Sequence, residues 1–114
     1  MGRDDSQRPD IPPGTLYMLI LKTLARLGPM HGYGIAQYIQ ETSDDVLQVE
    51  EGSLYPALQR MLIKGWVEAE WGQSENNRRA RYYKLTPAGK KQLAAELAEF
   101  DRVMRAIGRV IQPA

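Results

Sequence analysis

This sequence of 114 residues predicts a mainly α fold carrying one small β-hairpin, and three observations point to it. Apolar residues recur at helical spacing in three short segments separated by Gly, Pro and Ser/Asp punctuation. Between residues 67 and 85 strict alternation replaces that period on both sides of a polar turn. From residue 93 to 111 the apolar positions return at heptad-like intervals, over a length that a small globule cannot cover.

The elements follow in order. Residues 1–13 read as a polar arm ended by "PDIPP". A first helix is expected over about 14–27, with Leu16, Leu19, Ile20, Leu24 and Leu27 at helical spacing and Gly28-Pro29 as its stop. A second, over about 32–42, turns Ile35, Tyr38 and Ile39 inward and closes at "TSDD". Residues 47–49 are a candidate short strand. The third helix starts near Ser53, a suitable N-cap that leaves Pro56 in the first turn, where a missing amide breaks no intrahelical bond. Glu50 as the cap, with a tighter first turn, is the alternative. Leu54, Leu58, Met61 and Leu62 form the buried stripe of this helix, and Gly65 ends it.

Val67, Ala69 and Trp71 then share one strand face, with Glu68 and Glu70 on the other. "GQSENN" turns the chain and "RRARYYKL" returns it, Arg81, Tyr83 and Leu85 on one face and Tyr82 and Lys84 opposite. Leu85 belongs to the core, so Tyr83 is expected to be structural and Tyr82 more exposed. Thr86 caps a last helix with Pro87 at its first position. Its seam of Leu93, Leu97, Phe100, Met104, Ile107 and Ile111 implies lengthwise packing on another helix, most economically one from a second copy of the chain.

Composition narrows the function. The chain is 43% hydrophobic and 25% charged, the profile of one compact domain. It contains no Cys, which removes disulfides, thiolate metal sites and cysteine nucleophiles. No apolar run reaches membrane-spanning length and the polar start has no signal-like core, so a cytoplasmic location and no membrane partner are expected. The net charge is only +1. Its distribution matters more: residues 76–91 carry Arg78, Arg79, Arg81, Lys84, Lys90 and Lys91 and no acid.

Three helices followed by a hairpin is the order of a winged helix-turn-helix, here with a long C-terminal dimerisation helix. In that arrangement the third helix enters the major groove and the hairpin reaches beside it as a wing. The buried stripe leaves Ser53, Tyr55, Pro56, Gln59, Arg60 and Lys64 outside. Gln59 can pair with adenine, Arg60 with guanine or phosphate, Lys64 with phosphate, and Tyr55 with a phosphate or a sugar edge. Arg78 and Arg79, just after the turn, and Arg81 suit the DNA backbone or a minor groove. A basic run is more often only a solubilising face; this one adjoins a helix-turn-helix pattern. In "MHGYGI" the start of the second helix offers free amides to a phosphate, and Tyr33 a hydroxyl. Those glycines equally suit tight packing. His31, the only histidine, has no partners for catalysis or zinc and is expected to cap or pack. No metal site, cofactor or catalytic residue is expected.

These segments, "HGYGI", "GSLYPAL", "KGWVEAEWG" and "RRARYYKLTPAGKKQL", resemble those of PadR-family transcriptional regulators over about residues 14–111. The resemblance implies a dimeric repressor of the compact, single-C-terminal-helix kind, bound to an inverted-repeat operator in double-stranded DNA and released by a small aromatic or hydrophobic effector. It implies a DNA-binding domain at 14–85 and a dimerisation helix at 86–114, while residues 1–13, outside the resemblance, read from their polar composition as a flexible arm. The dimer interface would comprise Leu16, Ile20, Leu93, Leu97, Phe100, Met104, Ile107 and Ile111. Phe100, with Met18, Leu97 and Met104, would be the place for an effector. The acidic lead Glu50-Glu51 departs from what a phosphate-lined groove favours. The competing function is a winged-helix module for protein interaction or small-molecule binding without DNA.

Overall fold

The expected order of elements holds, with one strand added. The computed structural model describes residues 11–112. They form α1 (Pro13–Leu27), β1 (Met30–His31), α2 (Gly32–Thr42), α3 (Glu51–Ile63), β2 (Val67–Gln73), β3 (Arg79–Leu85) and α4 (Pro87–Ile111). Most of the arm expected at 1–13 lies outside the described residues. Ile11 packs partly against the core, and Pro13 already belongs to α1.

The hairpin strands are antiparallel, Val67 opposite Leu85 and Gln73 opposite Arg79. β3 also pairs with β1, giving a three-stranded sheet in the order β1-β3-β2. The strand considered at 47–49 does not form. Leu47 and Val49 instead pack side-on against the core, and the third sheet position is taken by Met30 and His31, opposite Tyr83 and Tyr82. Two residues are too few to leave an alternating pattern in sequence.

The start of α3 differs from the Ser53 reading and follows the Glu50 alternative. Glu50 occupies the cap position without a side-chain bond, and its carbonyl accepts from Ser53 N–H at 3.0 Å and Leu54 N–H at 2.9 Å. Ser53 is therefore inside the helix, and Pro56 is its sixth residue rather than part of its first turn. The amide that Pro56 lacks would have served the carbonyl of Gly52, which is exposed and open to water. At the other end, Gly65 N–H donates to Leu62 and Trp66 N–H to Met61, closing α3 with paired C-terminal bonds.

The core lies where α1, α2, α3 and the sheet meet. Ile20, Leu21, Leu24, Ile35, Leu54, Leu58 and Met61 are fully buried there. Tyr83 and Leu85 close it from the sheet as expected, while Tyr38 is only half-buried.

α4 is fastened at its root. The Thr86 hydroxyl accepts from Gly89 N–H at 3.0 Å and donates to the carbonyl of Gly65 at 2.7 Å, while Thr86 N–H reaches the Trp66 carbonyl at 3.1 Å. A side chain on Gly89 would collide with that Trp66 carbonyl. Beyond the buried Leu93, α4 projects from the globule. At ~1.5 Å per residue its 25 residues extend about 37 Å. That projection accounts for a radius of gyration of 15.8 Å, where a compact chain of this size would have about 13 Å.

Candidate nucleic-acid interface

An open groove of about 700 Å³ runs between the start of α2, the side of α3 and the hairpin. Tyr33, Tyr55, Arg78, Arg79 and Arg81 line it together, joined by His31 and Trp71.

His31 sets the floor of this groove. Its Nδ1 accepts from Gly34 N–H at 2.9 Å, making it the cap of α2 and leaving the ring proton of the neutral imidazole on Nε2. Its ring meets Tyr82 edge-on at 5.3 Å. Gly32 brings Tyr55 in: an added Cβ would lie 2.9 Å from Cε1 of Tyr55 and 3.1 Å from its hydroxyl, so the ring rests on bare backbone. The packing role considered for these glycines is therefore present. Tyr55 remains 45% exposed and Tyr33 68% exposed.

The hairpin contributes a wall with two unlike faces. Register puts Val67 with Leu85, Ala69 with Tyr83, Trp71 with Arg81 and Gln73 with Arg79 on the groove side. This face is core at its base and becomes cationic and aromatic towards its tip. The opposite face holds Glu68, Glu70, Tyr82 and Lys84. Arginine thus points into the groove and the strand carboxylates point away. Burial raises the Tyr83 pKa above its ordinary value; the nearby Arg81 charge opposes this and Tyr55 adds slightly to it. Tyr83 stays a neutral phenol at the groove's base.

Helical geometry sorts the outer residues of α3. Gly52, Pro56, Gln59 and Ile63 recur every three or four residues along the outward side, Tyr55 stands to one flank, and Ser53, Arg60 and Lys64 to the other. Arg60 is turned to α1, donating to the Tyr17 hydroxyl at 3.4 Å, and Lys64 Nζ sits 5.3 Å from the centre of the Trp66 ring. Tyr55 and the wing arginines are brought together; Ser53, Pro56, Gln59, Arg60 and Lys64 do not line that groove. The acids Glu50 and Glu51 at the start of α3 are exposed but do not line it either.

Trp71 and Ile63 stand outside the set of residues expected to meet DNA. Trp71 continued the core-face alternation of β2, and only the length of the strand hinted that it would outrun the core. Ile63 is 78% exposed, an apolar side chain beside Gln59 that no polar pattern would select.

Around α4 the predicted interface divides. Leu16, Ile20 and Leu93 are covered by the chain's own core, so their surface is already used. Helical spacing marks the residues that seek burial without distinguishing cover within the chain from cover by a partner. Leu97, Phe100, Val103, Met104, Ile107 and Ile111 form a continuous exposed apolar stripe. Met18 and Phe100 line a pocket of about 290 Å³ between the start of α1 and α4, with Glu96 and Glu99; Leu97 and Met104 lie outside it. Arg102 donates to Glu99 at 2.7 Å, holding that carboxyl below its ordinary pKa. Among the described residues there is no metal-binding cluster and no helix long and apolar enough to cross a membrane.

The model of the transcriptional regulator PadR-like family matches residues 20–95. An uncharacterized protein X of Lysinibacillus sphaericus is 31% identical over 100 residues, covering 88% of this chain and 91% of that protein. Among solved structures, a transcriptional regulator from Clostridium thermocellum superposes with a TM-score of 0.79 at 26% identity, over 87% of this chain and 95% of that one. A PadR family transcription regulator from Clostridium difficile gives 0.73 at 28% identity, over 85% and 98% of the two chains.

Proposed function

The chain belongs to the PadR-like family of transcriptional regulators, and from that premise we propose that it is a dimeric repressor that grips an inverted-repeat operator. PadR-family regulators bind DNA and are not enzymes. Residues 14–85 act as the DNA-binding unit and the segment 86–114, built on α4 (Pro87–Ile111), as the dimerisation element.

The observation that carries this reading is the convergence of Tyr33, Tyr55, Arg78, Arg79 and Arg81 on one open groove beside α3. Three guanidiniums there suit phosphate oxygens, and two exposed phenols suit phosphate or sugar edges. Gln59, on the outward stripe of α3, is the residue for base recognition, with the bidentate geometry that adenine accepts. Pro56 contributes from the same stripe, and Ser53, Arg60 and Lys64 from the flank of that helix. A second copy covers the apolar stripe of α4 from Leu97 to Ile111, since such a surface is costly in water. The resulting twofold axis presents two equivalent α3 helices, hence a palindromic operator.

The pocket bounded by Met18 and Phe100 supports release by a small aromatic or hydrophobic effector, because it lies at the junction of α1 and the dimerisation helix. Such a compound acts by preferring one relative placement of the two α3 helices.

A salt titration of duplex binding tests the assignment of the groove. Log affinity is expected to fall with log salt at about −0.9 per phosphate neutralised, and Arg78→Ala with Arg79→Ala to weaken binding and flatten that slope by about two such units. An unchanged affinity and slope in the double variant would remove the groove from the DNA contact.

A further inference from the structure

The tip of the hairpin carries a large side chain that core packing does not explain. Trp71 is 59% exposed, although its strand neighbours on that face, Val67 and Ala69, run into the core. An indole in water forgoes the burial that favours it. The other tryptophan, Trp66, is half-buried, with Tyr17 edge-on at 5.9 Å, and serves the fold.

What Trp71 does touch is a cation. The guanidinium carbon of Arg79 stands 4.5 Å from the centre of the Trp71 ring. Arg81 is directly opposite Trp71 in the sheet, and Arg79 lies two residues further out on the same strand face. All three side chains line the groove between wing and helices. A guanidinium stacked on a ring keeps its charge and its in-plane N–H edges, which are the parts that meet a phosphate. It loses rotamer freedom before any ligand arrives, so less remains to be lost on binding.

We propose that Trp71 is a positioning residue for DNA recognition: by stacking on Arg79 it holds that guanidinium oriented in the groove, so that Arg79 meets the duplex backbone already ordered. This rests on the groove being the DNA-binding surface. It assigns a task to an uncharged residue that a charge-based account of the wing leaves idle. Replacing the indole therefore weakens DNA binding only while Arg79 is present.

Fluorescence anisotropy on a labelled duplex, selected by the parent protein from random sequence, tests this with Trp71→Leu, Trp71→Phe, Arg79→Gln and the Trp71→Leu/Arg79→Gln double variant. Trp71→Leu is expected to bind about fivefold more weakly, and Trp71→Phe to recover most of that loss. In the Arg79→Gln background, adding Trp71→Leu should change affinity by less than about twofold. If Trp71→Leu binds like the parent, or if the two single losses simply multiply, the positioning role is wrong while DNA binding by the wing stands. Should Trp71→Leu fail to fold, Arg79→Lys keeps the charge and loses the planar stack. It is expected to show the same loss of about fivefold, and parental affinity in Arg79→Lys would overturn the proposal. A parent protein that retards no duplex at low salt would instead overturn the DNA-binding reading itself.

Discussion

At Gly32 the absence of a side chain can be tied to a consequence elsewhere. The Tyr55 ring occupies the space a Cβ would fill, so Gly32→Ala must push the phenol out of the groove or shift the start of α2. Alanine is otherwise well tolerated in a first helical turn. If Tyr55 contacts the duplex, Gly32→Ala should lower DNA affinity by about fivefold, roughly 1 kcal/mol, with little change in thermal stability. Parental affinity with an intact fold would show that Tyr55 matters only to packing. The sequence "HGYG" displayed the ingredients of this arrangement, but glycine has no side chain to indicate which ring would settle on it.

Among the elements, α2, β3 and the start of α4 were the most legible. Their boundaries are marked by chemistry that acts locally: Gly and Pro punctuation, alternation, and a Thr cap followed by Pro. The start of α3 was harder, because Ser53 and Glu50 can both precede a helix, and Pro56 fits the Glu50 start only where the surroundings tolerate an unserved Gly52 carbonyl. β1 was invisible because its two residues become a strand only by pairing with β3. The face of the wing that lines the groove was also open in sequence; the inward pull of Val67, Tyr83 and Leu85 decides it, carrying Trp71, Arg79 and Arg81 to the same side.

The outward surface of α3 shows why exposure alone is a coarse guide to recognition. Gln59 is exposed and central on that surface, whereas Arg60 leans on Tyr17 at one flank. Gln59→Ala is therefore expected to relax sequence preference by about 1–3 kcal/mol at one base pair, and Arg60→Ala to change base preference less. Binding-site selection with each variant measures this. A larger loss of base preference in Arg60→Ala would mean that its bond to Tyr17 is given up on DNA.

For the whole molecule, the proportions are those of a small globule with a lever attached. The principal dimensions of 55 × 42 × 21 Å reflect α4 extending past the core, its apolar side bare from Leu97 onward. The heptad-like spacing announced that helix and its need for cover. What it could not tell was that Leu16, Ile20 and Leu93 would already be consumed within the chain, because periodicity reports which residues seek burial and not whose surface supplies it. In the proposed dimer, the uncovered part of the seam sets the span between two α3 helices, and the wings carry the charge that holds the duplex against them.

Hydroxyl-radical footprinting on a duplex selected by the protein tests that central claim most directly. Two equivalent protected zones, related by a dyad and spaced by about one helical turn or a multiple of it, are expected on the two strands. A single unsymmetric zone, covering one half-site on a duplex that the protein saturates, would contradict it.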